Sequence, residues 1–405
     1  MQEKREIFKS LGGELPKNVF GDLPSPCYVI DESALAHNGQ ILRGVQDRTG
    51  AKILLAQKAF SNYDFYPMLS QYLAGTEASG LYEARLGKEE MPDKEVHTFC
   101  GAYKQEDIQK VLEYSDHIVF NSVRQLAMWG GLAKQYGRSV GLRINPQFST
   151  QEGHAIYDPC AAGSRLGVSR DEWNKQMTDE VFGNLDGLHF HTLCEQNSDD
   201  LDSTLRAVEE KWGDILPKMK WLNMGGGHHI TRHDYDIDLL EKNIKYAMQK
   251  WGVEVYLEPG EAVALNAGYF VTRVLDIVEN SGIKVAILDG SAACHMPDVI
   301  EMPYMPPLFG ASTESGKYCY RLGGPTCLAG DVIGDYYFDE PLQVGDMLCF
   351  GDMAIYTTCK NNTFNGMPLP NIWKKNIGGK IERLTNFGYD DFKTRLGKQK
   401  GKQKA

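Results

Sequence analysis

The sequence predicts an α/β chain in two parts: a (β/α)8 TIM-like barrel over residues 32–266 and a second, mainly β domain built from 1–31 plus 267–405. Three observations carry that expectation. Short apolar runs alternate with amphipathic stretches eight times between about Ala51 and Gly260. After Asn266 the pattern changes to β-branched and aromatic runs broken by Gly, Pro and Asp. The chain, at 405 residues, is also longer than one hydrophobic core usually organises.

The apolar runs lie at 53–57, 74–79, 96–100, 117–121, 140–145, 185–191, 221–225 and 254–258, each of strand length. Helical spacing follows at 63–73, 105–112, 122–135, 201–212 and 236–251. Parallel strands need crossover helices, and eight such units close on themselves as a barrel, with an open doubly wound sheet as the competing architecture. The β-domain runs are 268–278, 284–289, 317–322, 332–338 and 347–357. The leader joins them because 27–30 (CYVI) reads as a strand. The segment from Lys393, KTRLGKQKGKQKA, reads as a basic, solvated tail.

Composition excludes several functions. With 43 basic and 54 acidic side chains the formal charge is −11, which gives no electrostatic reason to bind nucleic acid or an anionic membrane. A hydrophobic share of 42% and a charged share of 24% are those of a folded globular protein. No apolar run approaches the ~18 residues of a membrane span, and the start MQEKREIFKS is charged where a signal peptide turns apolar; a cytoplasmic protein is expected. The nine cysteines are scattered and never spaced as C-x-x-C, so neither a disulfide framework nor a cysteine zinc site is indicated.

A barrel carries its chemistry at the C-terminal ends of its strands. Read in order, those ends offer Lys58 (LLAQKAF), Arg143 (GLRINP), His189 and His191 (GLHFHTLCEQ), Gly225, Gly226 and Gly227 (NMGGGHHIT) and Glu258 (YLEPGEA). A lysine ending an apolar run either snorkels to water or has its amine committed, as in a Schiff base with pyridoxal phosphate. Consecutive glycines allow backbone N–H groups to approach an anion, and barrels bind phosphate after strands seven and eight; elsewhere such a run is simply a tight turn. Glu258 offers a carboxylate to keep a pyridine nitrogen protonated, or it caps a strand end. His189 and His191 share a strand face. With His228, His229 and His233 they invite a metal reading, but HxH lacks a third ligand at a recognisable spacing, and no metal is expected.

These stations, in this order, resemble the alanine racemase-like (fold type III) pyridoxal phosphate enzymes, which pair a barrel with a β-domain and include the ornithine, arginine and diaminopimelate decarboxylases. Together, GLHFHTLCE, NMGGGHHIT, EPGEA, GPTCLAGD and TFNG are most similar to the carboxynorspermidine (carboxyspermidine) decarboxylase pattern. The resemblance covers the chain from PSPCYVIDESAL at Pro24 to TFNG at Thr363. It implies pyridoxal 5′-phosphate as cofactor, Lys58 as Schiff-base lysine, His191 stacked on the ring, Glu258 at the pyridinium nitrogen, Gly226 and Gly227 as phosphate-cradling amides and Tyr356 on the phosphate, with Arg143 completing the cofactor set. It implies further that Cys327 reaches the partner subunit's site and protonates the decarboxylated carbon, in a homodimer with shared active sites. Asp331, Asp298 and Glu261 become candidate ligands for a carboxylated polyamine, Glu301 a weaker one, and Cys327 also touches substrate; surface roles are the plain alternative for Asp298 and Glu301, and a structural thiol for Cys327.

The chain departs from the wider group at three places. Glu261 follows EPG where the ornithine and diaminopimelate enzymes carry arginine, which argues against their substrates. Thr76 (TEAS) stands at the end of the second strand where the eukaryotic ornithine enzymes have aspartate, and Cys194 replaces their serine near the phosphate. The implied reaction is loss of CO2 from carboxynorspermidine or carboxyspermidine. A basic amino acid decarboxylase, such as one acting on diaminopimelate, remains an alternative within the group. A racemase is disfavoured because that branch sets arginine, not Glu258, at the pyridine nitrogen. A pyridoxal phosphate carrier is disfavoured by GPTCLAGD.

Overall fold

The computed structural model describes residues 20, 22–151 and 158–397. The chain divides into two compact units, Ala36–Val263 and the pair of segments Met1–Leu35 and Ala264–Ala405.

Strand β1 (Cys27–Asp31) belongs to the second unit and leads into helix α1 (Glu32–Thr49). Eight parallel strands then close into a barrel: β2 (Lys52–Ala56), β3 (Gly75–Ala78), β4 (Glu95–Phe99), β5 (His117–Phe120), β6 (Ser139–Arg143), β7 (Gly187–His189), β8 (Trp221–Asn223) and β9 (Glu254–Leu257). Closure is the pairing of Lys52 with Tyr256 and Ile53 with Leu257. The strands are short because their last residues leave the ladder to line the mouth. The runs 185–191 and 221–225 accordingly shrink to three residues each.

The helices form where an apolar stripe meets a capping residue. Ser122 accepts the Gln125 amide at 3.2 Å to start the helix Val123–Gln135. Asp236 accepts that of Leu239 at 2.9 Å to start Ile237–Trp251, and left-handed Gly252 ends it. The 63–73 stretch does not form one helix. Pro67 suits only a first turn, so a 3-10 turn at Tyr63–Phe65 gives way to a separate turn at Tyr66–Leu69.

Within the barrel, Leu54, Val119, Trp221 and Tyr256 pack together. The Trp221 indole needs bare backbone on the neighbouring strand, because a Cβ on Gly187 would stand 2.0 Å from it. Its Nε1 donates to Ser139 Oγ at 2.8 Å. At the strand starts Lys52 bridges Glu95 and Glu254 at 2.6 and 3.0 Å, and the His97 and His117 rings stack at 3.9 Å. This is the stability end of a barrel.

In the second unit, β10 (Gly268–Asn280) is the spine of a curled sheet. It pairs with β1, β11 (Ile283–Leu288) and β15 (Met347–Gly351), while β12 (Ala311–Ser312), β13 (Tyr318–Gly323) and β14 (Val332–Phe338) extend one side and β16 (Asn371–Lys375) and β17 (Ile381–Arg383) the other. Cys27, Val29, Tyr269, Val271 and Cys349 pack with Phe20 and Leu23 as its core. The cysteines there are small buried hydrophobes. The run 347–357 ends as a strand at Gly351, and Lys393 lies in a short helix, Tyr389–Thr394, not in a tail. The last basic residues, 398–405, lie outside the described residues.

Two glycine replacements should separate the roles of bare backbone. Gly187→Ala should lower barrel stability by at least about 2 kcal/mol through overpacking against Trp221. Gly131→Ala, in a helix with nothing within 4 Å of the added methyl, should raise it by about 0.5–1 kcal/mol. Chemical unfolding midpoints measure both.

Candidate active site

At the C-terminal mouth of the barrel a cavity of about 260 Å³ is lined by Lys58, Glu77, Arg143, His189, His191 and Glu258, with Phe99, Cys100 and Arg165. That is near the lower end of ligand-pocket sizes, ~300 Å³.

Lys58 reaches the cavity because Gln57 is locked behind it. The Gln57 backbone amide donates to Glu77 O at 3.1 Å, its side-chain amide to Glu83 O at 2.9 Å, and its side-chain oxygen accepts from Tyr66 Oη at 3.1 Å. Among the described residues nothing hydrogen-bonds or ion-pairs with the Lys58 amine. A cationic or nucleophilic nitrogen thus faces a space with no internal partner.

Glu258 is 4% exposed and each carboxylate oxygen has its own neighbour. Asn223 Nδ2 donates to Oε1 at 2.5 Å, and His189 Nε2 stands 3.2 Å from Oε2. Burial alone pushes this carboxyl up, but His189 and Asn223 outweigh it and hold it at about 2. His189 itself is driven downward by burial, ahead of the opposing pull of Glu258, which favours the neutral imidazole beside the carboxylate. His191 is also held well below its usual value, first by burial and then by Lys58 and Arg143. Its Nδ1 accepts the Gly226 amide at 3.3 Å, so its ring is neutral and fixed in orientation. Arg143 donates to His191 O at 3.0 Å and lies over the Phe99 ring at 4.7 Å; burial draws it to about 10, still charged at neutral pH.

Glu77, the residue beside Thr76, was not among the expected site residues. Thr76 faces outward against Gly87, so strand alternation turns Glu77 into the cavity. It is 4% exposed and the one hydrogen-bond contact of its carboxyl among the described residues is Ser79 Oγ at 3.4 Å. Burial, then the charge of Glu258, raise its carboxyl well above the ordinary range. The environment therefore drives the two carboxyls apart, Glu258 toward its ionised form and Glu77 toward its protonated one. The sequence signal for it was an acid inside a buried strand.

Gly225, Gly226 and Gly227 do not line the cavity but abut it. A Cβ on Gly226 would stand 2.4 Å from Glu258 O, and Cβ atoms on Gly225 and Gly227 would meet backbone carbonyls at 2.4 and 2.0 Å; Gly225 and Gly227 also have φ of 71° and 80°. Side chains are excluded and the Gly227 amide donates to no described group.

The remaining expected residues have other positions. In the barrel unit Glu261 accepts from His229 at 3.1 Å; burial lowers that imidazole, and Glu261 more than restores it. In the β unit Tyr356 adopts a left-handed backbone, φ 57°, of the kind that clusters at functional sites. Cys327 is exposed. Asp298 and Glu301 are both ion-paired to the one Lys360 amine. Asp331, expected to meet a substrate amine, is 3% exposed. Its oxygens are taken by Ser291 Oγ at 2.8 and 3.0 Å, the Ala293 amide at 3.1 Å and Thr326 Oγ1 at 2.7 Å, so in this chain it is an internal anchor.

Two clusters of potential metal ligands occur among the described residues. In Glu95, His97 and His117 the rings lie 10° from parallel; imidazole lone pairs lie in the ring plane, so two stacked rings cannot both aim at one ion. The other, His189, His191 and Glu258, shares its cavity with the cations of Lys58 and Arg143.

A lysine amine without a hydrogen-bond partner, a buried carboxylate for a ring nitrogen, a neutral oriented imidazole and the unpaired Gly227 amide fit the groups that pyridoxal phosphate requires. A family model described as pyridoxal-dependent decarboxylase, C-terminal sheet domain, matches residues 27–354. The chain belongs to the pyridoxal-dependent decarboxylases. It is 40% identical over 385 residues to the carboxynorspermidine/carboxyspermidine decarboxylase of Campylobacter jejuni, covering 92% of this chain and 98% of that one. It is also 40% identical over 377 residues to the carboxyaminopropylagmatine decarboxylase of Synechocystis, covering 93% and 96%. A crystal structure of the Campylobacter jejuni carboxynorspermidine decarboxylase complexed with norspermidine superposes with a TM-score of 0.85 at 40% identity, covering 92% of this chain and 100% of that one. The diaminopimelate decarboxylase structure from Methanocaldococcus jannaschii, 19% identical with a TM-score of 0.79, shows the shared fold. No helix among the described residues is long and apolar enough to cross a membrane.

The carboxyl pair gives a direct test in this decarboxylase. Glu258→Gln removes the ionised group and should slow CO2 release by at least about a hundredfold. Glu77→Gln keeps the neutral form toward which burial drives this carboxyl and should stay within about threefold of the parent at neutral pH. The buried histidines predict an acid-labile barrel. His117 is held at about 2, chiefly by burial and then by His97, and His228 at about 4 by burial. The unfolded chain takes up protons below about pH 6.5 that the folded barrel refuses, so stability should fall as pH drops from 6.5 toward 4. His117→Phe should flatten that slope in unfolding measured across this window.

Proposed function

We propose that this enzyme removes CO2 from carboxynorspermidine or carboxyspermidine, giving norspermidine or spermidine, as a cytoplasmic homodimer that uses pyridoxal 5′-phosphate. The observation that carries the reading is the convergence of Lys58, Glu258 and His191 on one cavity in a chain 40% identical to relatives named for these carboxylated polyamine substrates. Lys58 is the covalent attachment point, His191 lies against the ring, Glu258 serves the ring nitrogen, and Gly226, Gly227 and Tyr356 serve the phosphate. When bound, the cofactor accepts the electron pair left on the substrate's α-carbon as CO2 departs. The protein's part is then to keep Glu258 ionised, keep His191 neutral, exclude water from the cavity and return a proton. Cys327 of the partner subunit supplies that proton, from an exposed loop tip suited to reaching a neighbour.

Substrate choice rests on the outer contacts. Glu261, in place of the arginine after EPG, leaves a carboxylate already committed to His229, which suits a cationic substrate better than a second carboxylate. A second reading has its own support, because the carboxyaminopropylagmatine decarboxylase is equally similar; that substrate class ends in a guanidinium.

Purified protein should show the visible absorbance of bound cofactor and release CO2 fastest from carboxynorspermidine or carboxyspermidine, with carboxyaminopropylagmatine, diaminopimelate, ornithine and arginine as comparators. Greater activity on carboxyaminopropylagmatine selects the second reading, and activity on diaminopimelate alone overturns both. Lys58→Ala should lose the absorbance.

A further inference from the structure

The TFNG segment has no task in the reading above, yet the structure joins it to the proton donor. Cys327 sits at the exposed tip of the loop between β13 and β14. The base of that loop is closed by the Gly324 amide donating to Asp331 O and the Asp331 amide donating to Leu328 O, each at 2.9 Å. Its inner side is held by Thr326 on the Asp331 carboxylate at 2.7 Å. The tip has a separate tether: the Cys327 amide donates to Asn365 Oδ1 at 2.7 Å. Asn365 makes that contact from a left-handed backbone, φ 59° and ψ 17°, which asparagine tolerates better than most residues with a side chain.

The tether is anchored to the same place as the loop. The Asn362 amide donates to Cys294 O at 2.9 Å, its side chain donates to Ala293 O at 2.8 Å, and the Cys294 thiol reaches Phe364 O at 3.6 Å. Asp331 is held by Ser291 and Ala293 from the same short segment. Residues 291–294 therefore grip the loop at its base and, through the turn at 362–366, at its tip.

We infer that Asn365 is a positioning residue for Cys327, fixing the backbone from which the thiol is presented. This deepens the proposed function and rests on Cys327 as the proton donor. In the productive step the S–H bond breaks, a C–H bond forms on the carbon that lost CO2, and the thiolate is reprotonated from water. If the thiol is misplaced, the proton goes instead to the cofactor's carbon. The cofactor then keeps the substrate's nitrogen and the electron pair, and water releases the substrate skeleton as an aldehyde.

The experiment compares holoenzymes carrying Asn365→Gly, Asn365→Asp and Cys327→Ala. Glycine keeps the left-handed backbone and deletes the acceptor, whereas aspartate keeps an acceptor oxygen. Hydrogen exchange of the peptide containing the Cys327 amide should quicken about fivefold in Asn365→Gly, the change expected from losing one ordinary hydrogen bond, and recover in Asn365→Asp. The ratio of aldehyde to amine product should rise at least about fivefold in Asn365→Gly toward that of Cys327→Ala and return in Asn365→Asp, with initial CO2 release of the two Asn365 variants within about twofold of the parent. A normal product ratio in Asn365→Gly while Cys327→Ala yields aldehyde overturns the inference and leaves Cys327 as donor. Amine alone from Cys327→Ala overturns the donor assignment itself, and the inference with it.

Discussion

The barrel mouth depends on keeping one carboxylate, Glu258, charged in the absence of water. Burying an anion is costly unless its lone pairs are satisfied, and here Asn223 and His189 each address one oxygen. Asn223 is a neutral donor and burial favours the neutral form of His189, so no permanent cation cancels the charge of the carboxylate. That residual charge organises its surroundings. It pushes Glu77 toward its protonated form and stabilises the buried guanidinium of Arg143. A full ion pair at Glu258 would be easier to bury and would leave nothing for a ring nitrogen.

Neutral imidazoles follow from the same arrangement. His191 lies between two cations, Lys58 and Arg143, which together with burial deny it a proton. A charged imidazole would repel a protonated ring; a neutral one, held by the Gly226 amide, can lie flat against it. The glycines that let strand ends approach this closely thus serve electrostatics as well as space, since a side chain at Gly226 would displace the carbonyl of Glu258.

Much of this was legible in the sequence because barrel chemistry sits at strand ends, and Lys58, Arg143, His189, His191 and Glu258 all stand at or just past one. Glu77 was missed for a specific reason. TEAS was read for Thr76, and in a strand a shift of one residue exchanges the inner and outer faces; only the packing of Thr76 on Gly87 decides which residue turns inward. Asp331 was misplaced for the opposite reason. An acid in a glycine-rich loop reads as exposed, and nothing in the local sequence reveals that Ser291, 40 residues earlier, will close over it. The helix expected across 63–73 failed at Pro67, where a position suited to a helix start was read as helix interior.

The two units solve the problem of holding a reactive group by different means. In the barrel, Lys58 stands two residues past the end of β2, a strand paired on both sides, and rigidity comes from the ladder beneath it. In the β unit the Cys327 thiol is on a loop, where precise placement has to come from supporting contacts. A buried carboxylate at the base supplies them, since Asp331 collects donors from two separate segments and would be unstable unpaired. An acid that looked like a substrate ligand is better understood as the internal fastener that allows the loop tip to be both exposed and fixed.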